Sequence, residues 1–212
     1  MAARPLAIFG GTFDPVHVGH LSVAWEASEL LDADVRLMPA SVPPHRPLPT
    51  ASADQRVAML RAALQGQSRL TLDHRELQRS GPSFTIDTLS ELRAEQCDRP
   101  LVLLIGADAF AALPSWHRWQ DLFELAHIGV LSRPGIDAKL PEVLRKAVEP
   151  RRVGSANELS KRPAGKIIEL AVTPLEISAT RVRELLAEGR DPRYLLPTGL
   201  FDHAELLAPY RA

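Results

Sequence analysis

Residues 6–20 read Leu6-Ala7-Ile8-Phe9-Gly10-Gly11-Thr12-Phe13-Asp14-Pro15-Val16-His17-Val18-Gly19-His20. The first four residues form a short continuous apolar run, as expected of a strand buried on both faces. Paired glycines stop the run, and Thr12 to Pro15 has the composition of a loop. From residue 20 to 31 the apolar positions Leu21, Ala24, Ala27, Leu30 and Leu31 recur at helical spacing. This strand–turn–helix unit places backbone N–H groups where a ligand can approach closely. The helix N-terminus adds unpaired donors and partial positive charge, so an anion is favoured there.

The same alternation continues along the chain. Val35–Met38 reads as a strand ended by Pro39, followed by a loop with prolines at 39, 43, 44, 47 and 49. Ala53–Leu64 is helical, with Val57, Leu60 and Leu64 on one stripe, and Leu70–Leu72 is a strand. Thr85–Ala94 is the next helix, and Leu101–Ile105 is the most apolar strand, ending at Gly106. Aromatic and helical segments run to Ala126, then a strand over Ile128–Leu131 and a surface helix over Pro141–Val148. Residues 150–165, rich in Arg, Lys, Gly and Pro, read as a mobile surface loop. A strand at Ile167–Ala171 and helices over 178–188 and 201–207 complete the chain. Short apolar strands between helices predict an α/β fold with a parallel sheet covered on both faces. In such sheets ligands bind beyond the carboxyl ends of the strands, near a topological switch point.

Composition narrows the function. The 212 residues carry 25 basic and 26 acidic side chains. A net charge of -1 does not favour nucleic acid as a partner. No apolar run approaches the length of a membrane span, and Gly10 and Gly11 cut short any signal-peptide core. The single cysteine, Cys97, excludes an internal disulfide and a Cys-rich zinc site. A cytoplasmic setting is the expectation.

Two further clusters follow strands. Ile177-Ser178-Ala179-Thr180-Arg181-Val182-Arg183 opens a helix, with Ser178 as the N-cap. Arg181 and Arg183 stand in or near its first turn, against the helix dipole, which suggests an external anion. Gly106-Ala107-Asp108 places a carboxylate just past a buried strand, where a ribose hydroxyl could be read or the next helix capped. Trp116 and Trp119 fit either the core or a stack on a flat ring. His17 and His20 alone also fit a tight turn with two solvated histidines. A zinc site there would need a third ligand, with Asp14 the near candidate.

The first cluster resembles the Gly-Gly-Ser/Thr-Phe-Asp-Pro-x-His-x-Gly-His signature of the nucleotidyltransferase superfamily, and residues 177–183 resemble its Ile-Ser-Ser-Thr-x-Ile-Arg motif. Ala179 departs from the second serine, and Val182 replaces isoleucine. Pro43-Pro44-His45-Arg46, Ser83-Phe84-Thr85-Ile86-Asp87-Thr88, Gly106-Ala107-Asp108-Ala109-Phe110, Trp116-His117 and Arg133-Pro134-Gly135 extend the resemblance to the bacterial nicotinate-nucleotide adenylyltransferases. Arg46 stands where that family has lysine, and Phe84 where it has tyrosine.

That resemblance implies a Rossmann-like sheet in a single nucleotidyltransferase domain over 1–212. The core would end near 175, and a small C-terminal helical part over 176–212 would carry the second motif. It implies ATP and nicotinate mononucleotide as substrates, with nicotinate adenine dinucleotide and pyrophosphate as products, in NAD synthesis. Catalytic roles fall on His17, His20 and Arg183. ATP would be held by Gly10, Gly11, Thr12, Phe13, Gly106, Asp108, Ser178, Thr180 and Arg183. The acceptor would be held by His45, Arg46, Thr85, Trp116 and Arg133. Mg²⁺ accompanies the ATP through phosphate and water, with no resident metal site on the protein. Nicotinamide mononucleotide or another phosphate acceptor is the rival substrate, and a nucleotide-binding regulatory module the rival class. Assembly into a homo-oligomer is left open.

Overall fold

The computed structural model describes residues 4–41, 48–79, 81–132, 140–173 and 175–211. Seven strands form one sheet: β1 (Leu6–Gly11), β2 (Asp34–Pro39), β3 (Leu70–Leu72), β4 (Leu101–Gly106), β5 (His127–Ser132), β6 (Arg152–Val153) and β7 (Ile167–Ala171). Their order is β3-β2-β1-β4-β5-β7-β6. Every pairing is parallel. The chain leaves β1 toward β2 and β3, then returns to place β4 on the other side of β1. The order therefore reverses between β1 and β4, and the crevice at their carboxyl ends is the natural ligand position.

Strand residues alternate between two cores. Ala7, Val35, Leu37, Val102 and Leu104 face one core, and Leu6, Ile8, Leu101, Leu103 and Ile105 face the other. This period of two buries both faces of each central strand, which is why the strands read as unbroken apolar runs. The first core is covered by α1 (Val18–Leu30), α2 (Ala53–Ala63) and α7 (Ala179–Ala187), together with Leu200, Leu207 and Tyr210 from the C-terminal segment. The second is covered by α3 (Thr85–Glu95), α5 (Leu122–Leu125) and α6 (Glu142–Val148), with α4 (Ala107–Ala111) contributing Phe110.

Four expectations are corrected. Leu30 does not face the core; it is 48 % exposed, and Ser28 is buried in its neighbourhood instead. The buried hydroxyl is satisfied locally, donating to the Trp25 carbonyl at 2.7 Å. The segment 150–165 is not a loose loop. It contains β6 and the 3-10 turn Ala156–Lys161, and Leu159 is fully buried. The ring of His127 ties it down: Nδ1 accepts the Lys166 N–H at 3.0 Å, while Nε2 lies 3.1 Å from the Leu159 carbonyl and 2.9 Å from that of Arg162. A backbone N–H on Nδ1 puts the proton of the neutral ring on Nε2. Burial lowers the pKa of this histidine, which favours that neutral form. The last helix is a 3-10 segment at Ala204–Tyr210 rather than an α-helix over 201–207. Pro209 within it has no N–H to continue a helical ladder. The fourth correction concerns Arg181, which pairs with Glu184 at 3.4 Å on an exposed face of α7 rather than presenting its charge to an anion.

No helix among the described residues is long and apolar enough to cross a membrane.

Candidate active site

A cleft of about 910 Å³ opens where β1 and β4 end. Gly10, Gly11, Thr12, Phe13, His17 and His20 line it from the β1–α1 connection, and Ser178, Thr180 and Arg183 from the start of α7. Gly106 and Asp108 line it after β4, with Thr85 from α3 and Trp116 from the segment after α4. Three clusters far apart in sequence thus share one cavity. His45 and Arg46 lie in 42–47 and Arg133 in 133–139, outside the described residues.

The β1–α1 connection is held by buried polar contacts. Asp14, 6 % exposed, accepts the Thr50 N–H at 2.8 Å on Oδ2 and the Ala51 N–H at 3.0 Å on Oδ1. Tyr210 donates its hydroxyl to the same Oδ1 at 2.7 Å. The Asp14 carboxylate is therefore committed to structure and is not the third ligand of a zinc site. Among the described residues, no group of three His, Cys, Asp or Glu side chains is placed to hold a metal ion. The guanidinium of Arg56, 2 % exposed, donates to the carbonyls of Thr12 at 2.8 Å and Ala40 at 2.9 Å. It clamps the ends of β1 and β2 together from below the cleft. Burial lowers the pKa of Arg56, opposed by Asp14 and Tyr210.

The two histidines differ. His17 is 5 % exposed, and its ring stacks on His20 with centroids 3.6 Å apart. Burial lowers its pKa to about 4, so it is neutral at pH 7. It is not the solvated side chain that a simple turn would allow. His20 accepts the His17 backbone N–H on Nδ1 at 3.3 Å, so its neutral ring carries the proton on Nε2. Two stacked imidazolium rings would repel, which is a further reason for His17 to stay neutral. Gly19 makes the pair possible. A Cβ there would sit 3.1 Å from His17 Nδ1 and 3.2 Å from Cε1, tighter than ordinary contact. Phe13 has φ 51 and is 1 % exposed; its ring packs under Gly11 and 5.0 Å from the His20 ring, so it shapes the loop from inside.

At α7 the Ser178 hydroxyl accepts the Arg181 N–H at 3.1 Å, confirming the cap. Arg183 donates to the Asp14 carbonyl at 2.7 Å through Nη1 and to Thr180 Oγ1 at 3.2 Å through Nη2. The guanidinium is thus oriented beside the helix N-terminus, with a third of its side chain still exposed. This arrangement suits a polyphosphate, combining backbone donors, a helix N-terminus and a fixed arginine.

Sequence reasoning missed Arg56, Tyr210 and Glu76, the last of which lines the cleft and accepts the Thr88 hydroxyl on Oε1 at 2.7 Å. Arg56 stands four residues before Leu60 on the buried side of α2, so helical spacing alone placed a charge in the core. Nothing local signalled the other two.

A doubly wound parallel sheet with two loops at its switch point whose donors suit a polyphosphate is the architecture of a nucleotide-binding protein. Residues 8–185 match the family model described as "Cytidylyltransferase-like". Relatives share nearly half of the sequence. The "Probable nicotinate-nucleotide adenylyltransferase" of Pseudomonas syringae is 47 % identical over 211 residues, covering 99 % of this chain and 95 % of that protein. The protein of the same name from Pseudomonas aeruginosa is 48 % identical over 211 residues, covering 99 % and 98 %. The chain belongs to the cytidylyltransferase-like family and, within it, to the nicotinate-nucleotide adenylyltransferases. Among solved structures, the fold matches Plasmodium falciparum nicotinic acid mononucleotide adenylyltransferase complexed with NaAD, with TM-score 0.70 and 16 % identity over 96 % of this chain and 98 % of that one.

Proposed function

We propose that this protein transfers the AMP moiety of ATP to nicotinate mononucleotide, forming nicotinate adenine dinucleotide and pyrophosphate in NAD synthesis. The observation that carries the reading is the single cleft of about 910 Å³ shared by the phosphate-binding clusters, Asp108, Thr85 and Trp116. Its close relatives are named for this activity.

A phosphate oxygen of the mononucleotide attacks the α-phosphorus of ATP. The bond from that phosphorus to the bridging oxygen of the β-phosphate breaks, and pyrophosphate leaves with the electron pair. The attacking oxygen is already ionised at pH 7, so the reaction needs no protein nucleophile and no strong base. The obstacle is the meeting of two anionic groups, and catalysis rests on positioning and charge stabilisation. His20 is assigned to the charge that develops on the ATP phosphates, with His17 fixing its orientation. Arg183, Ser178 and Thr180 are assigned to the β- and γ-phosphates. The backbone of Gly10 to Phe13 approaches the nucleotide, and Gly106 and Asp108 face its ribose. Thr85 and Trp116 are assigned to the pyridine ring, and the family resemblance alone assigns His45, Arg46 and Arg133 to the acceptor. Mg²⁺ would accompany ATP and would offset part of the charge on its phosphates. A reducing cytoplasmic setting suits a chain whose one cysteine, Cys97, is free and exposed.

The test supplies ATP and Mg²⁺ with nicotinate mononucleotide or nicotinamide mononucleotide in parallel and separates the dinucleotides by chromatography. Preferential use of the nicotinate substrate is expected. Equal use of both would keep the chemistry and refute the ring assignment. ATP binding without product from either would point to a regulatory module.

A further inference from the structure

The amino ends of β5, β6 and β7 frame a second concavity, at the end of the sheet opposite the cleft. These strands lie side by side in the order β5-β7-β6 and run parallel. Arg152 of β6 is in register with Ile167 of β7, and Ile167 with Ile128 of β5. Arg151, Lys166 and His127, each one residue earlier, therefore stand at one level across the three strand ends. A pocket of about 550 Å³ opens there, lined by Glu124, Arg151, Arg162 and Lys166, with Pro150 and Pro163 among its apolar surfaces. It shares no lining residue with the cleft at the carboxyl ends. Its volume lies in the range of small-molecule sites.

The walls of the pocket are fixed in place. The Arg93 guanidinium donates to the carbonyls of Leu125 and Pro163, both at 2.7 Å, and so joins the segment before β5 to the segment before β7. The His127 ring adds its bonds to the Leu159 and Arg162 carbonyls and to the Lys166 N–H. Gly165, at φ 90, lets the two segments close up, since a Cβ there would lie 3.3 Å from the Phe123 carbonyl. Arg151 is held over the Phe123 ring, 4.8 Å from its centroid, with Nη1 donating to the Ala147 carbonyl at 2.8 Å. Arg162 and Lys166 enter this framework through main-chain groups.

The charges on the lining are unbalanced. Among the described residues, Arg151, Arg162 and Lys166 make no ion pair, and Glu124 pairs with none of them. Neighbouring arginines are paired: Arg152 with Glu169, and Arg145 with Glu142 at 2.6 Å. Three cations thus face one pocket against a single carboxylate. We infer that this pocket is a second anion site, taking a phosphate-bearing anion of two or more charges, free or at the end of an organic phosphate. Arginine offers phosphate oxygens paired N–H donors, and lysine offers a point charge. A monoanion leaves the lining positive, whereas a dianion neutralises it. The pocket stands apart from the cleft, so the inference does not depend on which acceptor the cleft takes.

The experiment titrates the full-length protein with inorganic pyrophosphate and, separately, with ADP, following backbone amide resonances by two-dimensional NMR at low ionic strength. Gly165 and Lys166 report the pocket, and Gly10, Gly11 and Gly106 report the cleft. Saturable shifts at Gly165 and Lys166 are expected in the wild type and also in Arg183→Ala, whose cleft is weakened. In the double variant Arg162→Ala/Lys166→Ala the Kd read at Gly165 rises about tenfold, with the cleft signals unchanged. Lys146→Ala, on α6 outside the lining, leaves that Kd unchanged. Tighter binding of ADP than of pyrophosphate assigns the site to an organic phosphate, and equal or weaker binding assigns it to the free anion. Shifts confined to the cleft overturn the inference. So do shifts at Gly165 that never saturate, or that weaken equally in Lys146→Ala, because either marks a general effect of surface charge. If the double variant does not fold, the single variants Arg162→Ala and Lys166→Ala decide, with a rise of about threefold expected in each and wild-type Kd values in both overturning the inference.

Discussion

Replacing Tyr210 by phenylalanine removes a single oxygen near the C-terminal end, and the structure predicts that the effect reaches Asp14 and, through it, Arg183 in the cleft. The hydroxyl donates to Asp14 Oδ1 at 2.7 Å across 196 residues of sequence. Burial, reinforced by Asp14, raises the phenol's pKa well above the ordinary range, so it stays a donor at every practical pH. The ring is 3 % exposed, and phenylalanine fills all but the space of the oxygen. The cost is therefore that of a hydrogen bond to a charged group, about 1.5–3 kcal/mol. For a chain of this size each kcal/mol shifts Tm by about 2–4 °C, so a fall of about 5–9 °C is expected for the middle of that range. Asp14 keeps its bonds to Thr50 and Ala51, and its carbonyl still holds Arg183 at 2.7 Å. The loop should loosen without losing its path, raising the KM for ATP about threefold to tenfold at unchanged acceptor KM. Calorimetry and steady-state kinetics on the same preparation read both. A variant with wild-type Tm and wild-type ATP KM would falsify the view that the C-terminal segment latches the loop.

Two other outcomes follow from the histidine pair. His20→Ala should cost about 10²–10³ in turnover with smaller changes in substrate affinity, as for a lost donor to developing charge; near-normal kcat in steady-state assays removes the ring from the mechanism. Folding stability should also fall as pH drops. The unfolded His17 takes up a proton near its ordinary value of 6.5, while the buried ring resists until about 4. The unfolded state therefore binds more protons across this window, and stability decreases from pH 6.5 toward 4 by about 3 kcal/mol from this residue. His127, also lowered by burial, acts in the same direction. Denaturant titrations at pH 7 and 4.5 should show a smaller loss in His17→Asn than in the wild type, and an identical loss in both sinks the assignment.

The strands were readable because burial on both faces leaves a purely local mark. Leu101 to Ile105 is apolar at every position, and each residue is buried in one core or the other. Gly19 was readable as a place without room for a side chain, though the reason is not a ligand. At Gly19 the demand comes from His17, two residues away. The helix faces were less secure. Periodicity directed Leu30 inward, but it stands in the last turn of α1, where the chain is already turning toward Ala33 and β2. Ser28 could take a buried place because its hydroxyl finds a carbonyl within its own helix.

The remaining features depend on partners that no local pattern contains. Asp14 appeared in the sequence as part of a loop and as a conceivable ligand. Its actual partners are Thr50, Ala51 and Tyr210, with Arg183 on its carbonyl, at separations of 36 to 196 residues. Arg56 is hidden for a different reason: it bonds to two main-chain carbonyls, and a carbonyl has no letter in the sequence. Buried polar groups must find partners or pay a desolvation cost. A charged residue on an apolar stripe, such as Arg56 beside Leu60, is thus itself a prediction that two loop ends meet there. The motifs named the groups that line the cleft. What holds those groups in place is a second set of side chains, and the fold alone assembles it: Arg56 under the β1 and β2 ends, Tyr210 on Asp14, and Glu76 behind α3.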